Sequence, residues 1–264
     1  EEPYHCFFLD TEKFVIPRGL HRFLVNDQIR AWYESDDPSF REWWPKARSG
    51  AGPFQPDDYD EGAGQVRPKG RLAYRLSLDG ERQKQIVPAV VAQVASLQNA
   101  LNLLADPNRK IRIYLICSLG GGTGSGIVLT LAQHLAQELP PNCAQIGVFF
   151  LASATERAAE RVYQTSIWAN TDAALREIDF FQLPSSERQA QIRPFLAWPG
   201  AGNQLIGDQR TFEYVYLFGT ANRNGKQLDE FGDYARLIAE CLTTELFSDI
   251  ATAVGGSHSN FMAV

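Results

Sequence analysis

The residues of this chain best suited to chemistry form one unbroken run of glycines and small hydroxyls, Gly120-Gly121-Gly122-Thr123-Gly124-Ser125-Gly126. A backbone without Cβ atoms lets a ligand come close to peptide N–H groups. When a helix begins directly behind such a turn, its first N–H groups have no partner within the helix and lie at the positive end of its dipole. That combination suits a phosphate. The spacing separates this run from two other phosphate loops. No Gly-Lys-Ser/Thr follows, so no lysine reaches a terminal phosphate as it does in a P-loop. A G-x-G-x-x-G dinucleotide fingerprint fits Gly120 to Gly126 only if Thr123 and Ser125 are ignored, and no acidic residue ends a strand about 20 residues further on. A flexible linker is the plain alternative, but linkers are not normally flanked directly by a buried strand and a helix.

The flanks are of that kind. Ile111 to Leu119 is a near-continuous apolar run rich in β-branched and aromatic residues, as a buried parallel strand is, and Ile127 to Leu135 is rich in Ala and Leu and reads as a helix. Ala144 to Leu151 and Phe212 to Phe218 are further buried strands, so the centre of the chain reads as a βαβ unit of right-handed crossover. Tyr4 to Leu9 is another strand, ending in Asp10-Thr11-Glu12. The carboxyl ends of parallel strands are where open α/β sheets hold ligands. Asp10 and Thr11 are therefore either site residues or a solvated turn. Between these strands, Glu61 to Ala73 combines Gly62, Ala63, Gly64 and Gly70 with Arg67, Lys69 and Arg71, a gathering of positive charge that suits a terminal phosphate. Arg75 to Ala105 carries apolar residues at helical spacing and predicts one or two amphipathic helices; Asp229 to Val254 predicts one long helix. Residues 14–60 read as an irregular insertion with Trp32, Trp43 and Trp44, and Gln182 to Gln209, with three prolines, as a loop.

Bulk composition sets the class. The chain has 264 residues, 44% hydrophobic and 21% charged, ample for a sizeable core. A formal charge of −6 excludes a duplex nucleic-acid binder, whose affinity rests on neutralising phosphates with lysine and arginine. Cys6, Cys117, Cys143 and Cys241 lie too far apart for a zinc or disulfide framework and read as reduced thiols. No apolar run approaches the roughly 18 residues of a membrane span, and the polar N-terminus is no signal peptide. A cytoplasmic, soluble α/β protein is expected.

The Gly120–Gly126 run resembles, residue for residue, the GGGTG[ST]G signature of the tubulin and FtsZ superfamily. That resemblance implies a parallel-sheet (Rossmann-like) nucleotide-binding domain over residues 1–254 with a long central helix, and a synergy-loop segment beginning at 255–264. It implies GTP or GDP with Mg2+ as ligand, held by Gly120, Gly121, Gly122, Thr123, Gly124, Ser125 and Gly126. Gly62, Ala63, Gly64 and Arg71 match the segment that senses the γ-phosphate in FtsZ-like proteins, and Asp10 and Thr11 the acidic turn beside the metal. Glu156 matches a ribose-contacting turn, with a helix-start carboxylate as its alternative reading. Asn222 matches the residue that bonds the guanine edge, and Phe231 the aromatic that stacks on the base. The residue one turn beyond Phe231, where the family reads the base, is Ala235; Asp233 is nearby but out of register, so ATP stays open. The family's first strand and first phosphate loop precede the point where this sequence starts. Asn170…Ala173-Ala174-Leu175-Arg176-Glu177 is similar to a bacterial subfamily of tubulin-like proteins.

The family also implies self-association into protofilaments and, in longer chains, GTPase activity. Aligned on Phe261, its catalytic aspartates become Asn260 and Ala263 here, and an amide cannot serve as a base, so hydrolysis is expected to be slow or absent. Two rivals of different class stand beside filament assembly. One is a non-polymerising nucleotide sensor or scaffold working with partner proteins. The other is an oxidoreductase or transferase, for which no His/Cys constellation is present: His5, His21, His134 and His258 are scattered.

Overall fold

A computed structural model of the chain describes residues 7–10, 20–23, 63–79, 86–100, 111–155, 161–183, 211–220 and 231–247. In chain order they form β1 (Phe7–Asp10), β2 (Leu20–Phe23), α1 (Arg67–Asp79), α2 (Ile86–Ala100), β3 (Ile111–Ser118), α3 (Gly122–Glu138), β4 (Cys143–Phe150), α4 (Ala152–Thr155), α5 (Arg161–Gln182), β5 (Tyr214–Phe218) and α6 (Phe231–Phe247). The expectations for Thr11, Gly62, Glu156, Asn222, Asn260, Ala263 and the three tryptophans of the 14–60 segment fall outside the described residues.

Strands β3, β4 and β5 form a parallel sheet in that order, and β1 pairs in parallel with β2. The expected βαβ unit is therefore present, with α3 connecting neighbouring strands. β4 lies in the middle and is buried along nearly its whole length, as its run Ala-Gln-Ile-Gly-Val-Phe-Phe requires. Side chains alternate between the two faces. One face of the sheet, with Leu115, Phe149 and Val215, packs under α3 and α5 through Leu131, Leu135, Ala174, Ile178 and Phe181. The opposite face, with Ile146, Val148 and Phe150, packs against Tyr234 and Ile238 of α6. Val94 of α2 and Ile111 make a smaller satellite cluster.

Two elements depart from the sequence expectation. Leu20–Phe23 is a strand inside the stretch read as irregular; its Leu-His-Arg-Phe pattern carries no alternation, and only pairing with β1 makes it one. α1 begins at Arg67, well before the expected Arg75, and so takes in the basic glycine segment. A glycine inside a helix weakens it by about 1 kcal/mol, which is why Gly70 reads as loop. Its place in α1 comes from packing: a Cβ on Gly70 would run into the Gly122 carbonyl, so only glycine lets α1 lie this close to α3. Gly126 and the Arg67 carbonyl make the same close approach one turn further along. Behind this crossing Tyr74 is buried and its hydroxyl lies 2.9 Å from His134 Nδ1; burial raises the Tyr74 pKa.

Candidate functional site

The three strands of the sheet end level with one another, Ser118 opposite Phe150 and Phe150 opposite Phe218. The pairing continues one residue past the strands, with Leu119 N–H donating to Phe150 O and Leu151 N–H to Phe218 O, both at 2.9 Å. The glycine turn, α4 and the Gly219-Thr220 turn thus leave the sheet side by side at its carboxyl rim. Cross-links hold them there. The Thr220 amide donates to Ser153 Oγ at 3.2 Å, and Thr155 Oγ1 stands 3.0 Å from where a Cβ on Gly120 would be.

The run Gly120–Gly126 opens α3, with Gly121 as its N-cap and no side chain capping it. Four of its five glycines are dictated by packing. A Cβ would meet Ile167 at Gly120, the Ala63 and Gly64 carbonyls at Gly122, and the Ser118 carbonyl and Cys117 at Gly124, each closer than 3.0 Å; Gly126 presses on α1 as above. Gly121 is different. Its backbone is ordinary extended chain (φ −81°, ψ 163°), and nothing lies within 4 Å of its missing Cβ. Among the described residues nothing requires a glycine at that position.

The second glycine segment comes to the same place. Gly122 N–H donates to Gly64 O at 2.7 Å, which sets the Ala63–Val66 turn against the glycine run. Gly64 adopts a left-handed backbone (φ +51°) and also has open space where a Cβ would go. The carbonyls of both turns are drawn inward. Ala63 O accepts from Val66 N–H at 3.0 Å and Gly64 O from Gly122 N–H. Gln65 O and Gly120 O both accept from Asn170 Nδ2, at 2.7 and 2.9 Å, and Gly121 O accepts from the Ser125 hydroxyl. With these oxygens occupied, and the Gly121 amide donating to none of the described residues, the open side of the paired turns is electropositive.

The expected site residues thus divide. Gly120 to Gly126, Ala63 and Gly64 come together at the rim. Ser125 belongs to the group but faces inward: it is 2% exposed and, one helical turn beyond Gly121, returns its hydroxyl to that residue's carbonyl. The cluster of cations is placed otherwise than a loop would place it. Arg67 donates to both carboxylate oxygens of Glu177 on α5, Nη1 to Oε1 at 3.2 Å, and to the Ser125 carbonyl. Lys69 is buried. Arg71 lies beside this pair; burial lowers its pKa to about 10, Glu177 opposes that shift and Arg67 adds to it. Asp10 ends β1, and Phe231 opens α6. Asp233 accepts from Arg236 at 2.9 Å on the exposed side of α6. Among the described residues no group of three or more His, Cys, Asp or Glu is placed to hold a metal.

A family model described as tubulin-like matches residues 11–264. The chain belongs to the tubulin-like family. No curated protein and no solved structure matches it. The parallel three-stranded sheet with its glycine turn at the carboxyl rim is a tubulin-like α/β arrangement, in keeping with the resemblance carried by the glycine signature. Among the described residues of this tubulin-like chain no helix is long and apolar enough to cross a membrane. Two residues of α5 have roles that the sequence did not assign, Asn170 on the two turns and Glu177 on Arg67. They stand two helical turns apart on one face of α5, and that i, i+7 spacing was the available signal.

Proposed function

We propose that this tubulin-like chain binds a guanine nucleotide with magnesium at the paired glycine turns and assembles head to tail into filaments. The observation that carries the binding half is the pair Gly64 and Gly121, open positions on two turns where the Ala63, Gly64, Gln65, Gly120 and Gly121 carbonyls each accept an internal hydrogen bond. An anion fits there. The side-chain oxygen of Gln65 adds to this: it is buried and has no donor among the described residues, as suits an acceptor for the water of a hydrated cation. Tubulin-like proteins generally bind GTP with Mg2+ and self-assemble, which supports the choice of nucleotide and the filament.

In this reading the Gly121 amide and those of the first turn of α3 beyond Gly122 hold the phosphates, and the turn that carries Gly64 faces the terminal one. Asp10 and Thr11 are the residues that would hold the metal, which would supply positive charge to the phosphate tail. Glu156 is the candidate for the ribose, and Asn222, Phe231 and Asp233 are the candidates for the base. Arg71 supports the γ-phosphate turn from α1 rather than from the opening, because its charge lies with Arg67 and Glu177. Head-to-tail contacts between unlike surfaces do not close on themselves, so they extend into filaments. With Asn260 and Ala263 where the family carries aspartates, turnover by the chain alone is slow or absent.

The test is calorimetric titration of the whole chain with GTP, GDP and ATP in magnesium, with light scattering recorded in parallel. GTP is expected to bind more tightly than ATP and to raise the scattering. Binding without scattering would favour the sensor or scaffold reading, to which Asn260 and Ala263 already point. No binding of any nucleotide would overturn the proposal.

A further inference from the structure

Asn170 stands on α5, well away in sequence from both glycine turns. Its side-chain nitrogen nevertheless donates to two main-chain carbonyls at once, Gln65 O at 2.7 Å and Gly120 O at 2.9 Å. A carboxamide has two N–H donors on one nitrogen, so both are in use. The orientation of the amide follows from its partners. Turned the other way, the oxygen would face two carbonyl oxygens with no proton between them.

We propose that Asn170 is a positioning residue that makes the two turns one anion cradle, by drawing the Gln65 and Gly120 carbonyls toward α5 and locking the turns in register. Two arguments lead there. The first is electrostatic. Gly120 directly precedes the open Gly121, and Gln65 directly follows the open Gly64, so each of these two carbonyls belongs to a residue adjoining an opening. Released from Asn170, either one is free to rotate toward a phosphate and repel it. The second is mechanical. Gly122 N–H to Gly64 O is one bond between the turns, and Asn170 adds a tie from Gln65 O and Gly120 O to α5 beside it. The Arg67–Glu177 pair then fixes α5 against α1, so the helix that carries Asn170 is itself held to the segment that the 63–66 turn leads into.

This inference rests on the nucleotide reading above, and it deepens that reading: the turn at Gly64 faces the terminal phosphate, so Asn170 governs how well a triphosphate is told from a diphosphate. Two variants test it in the full chain. Asn170→Leu keeps the size and removes both donors. Asn170→Asp also removes the donors and adds a negative charge beside both carbonyls. Asp172→Asn, whose residue pairs with Arg176 on the exposed side of α5, is the control. Affinities for GTP, GDP and inorganic tripolyphosphate are measured by calorimetry, together with the thermal midpoint of each variant.

GTP affinity is expected to fall about tenfold in Asn170→Leu and further in Asn170→Asp, with a smaller fall for GDP and none in the control. Equal loss for GTP and GDP would mean that Asn170 merely stabilises the fold, and would overturn the proposal, as would unchanged affinity in a folded variant. Should the aspartate variant fail to fold, the leucine variant decides by the same criterion. If the unaltered chain binds tripolyphosphate but not GTP, the guanine assignment falls, and the role of Asn170 is then read from the tripolyphosphate affinities alone. If it binds neither, both readings fall together.

Discussion

Two adjacent glycines separate what the glycine run does for the fold from what it does for a ligand. In Gly122→Ala the new methyl would stand 2.7 Å from the Ala63 oxygen, the Gly64 oxygen and the Val66 nitrogen, well inside the 3.4 Å at which ordinary contact begins. All three neighbours are main chain, and all three belong to the turn that carries Gly64, so no side chain can swing aside. Overpacking against backbone costs at least about 3 kcal/mol, at the upper end of what inserted methyl groups cost. For a chain of this size that lowers the thermal midpoint by about 6–12 °C. In Gly121→Ala the methyl meets nothing within 4 Å, and the backbone angles suit alanine. The loss of glycine freedom in the unfolded chain stabilises by about 0.4–1 kcal/mol, and alanine's poorer fit at an N-cap offsets that by a similar amount. The midpoint should stay within about 2 °C. GTP affinity should nonetheless fall by at least tenfold, about 1.4 kcal/mol, because the methyl takes up space into which a phosphate drawn to the Gly121 amide must fit. Scanning calorimetry and nucleotide titration of the two variants make the comparison. A Gly121→Ala chain that folds and binds GTP like the unaltered one would refute the assignment of the open position to a phosphate.

The α1–α5 ion pair is half-shielded, with side-chain exposures of 14% at Arg67 and 27% at Glu177. Glu177→Gln should therefore cost about 1–3 kcal/mol by leaving Arg67 without its counter-charge, and Arg67→Met made in that background should cost much less than it does alone. Strictly additive losses in urea melts would show that the two side chains do not act as a pair. The Cys117 thiol is pushed up to about 12 by burial, so the folded chain keeps a proton that the unfolded chain releases from about pH 9 upward. Its contribution to stability is whole below pH 9 and is lost as pH rises toward 12, by about 1 kcal/mol at pH 10. Cys143, raised to about 11, acts in the same sense, whereas Arg71, lowered to about 10, acts in the opposite sense above that pH. Urea midpoints at pH 8 and pH 10 should accordingly converge in Cys117→Ala relative to the unaltered chain; an unchanged gap would refute the shift. Among the described cysteines, the exposed Cys241 should react with a thiol reagent at neutral pH before the partly buried Cys117 and Cys143.

What the sequence by itself determined is the local order of things. An apolar β-branched run, a glycine turn and an Ala/Leu helix are each written in neighbouring residues, so the β3–α3–β4 unit, the parallel sheet and the glycine turn at its carboxyl rim followed from patterns a few residues long. The family signature lies in that same continuous stretch. The tertiary structure alone decided which atoms the rim presents. Whether a glycine is there for a ligand or for a neighbouring helix depends on what stands opposite it, and for Gly120, Gly122, Gly124 and Gly126 that was Ile167, the 63–66 turn, β3 and α1. Arg67 read as a phosphate ligand because its counter-charge lies 110 residues away on another helix. Asn170 carried a family resemblance in the sequence but no structural role, because its acceptors lie 50 and 105 residues back along the chain. A hydrogen bond or a close approach is set by position in space. Spacing along one element records that position only for residues on the same element, so partners that meet through packing stay hidden until the helices are laid on the sheet.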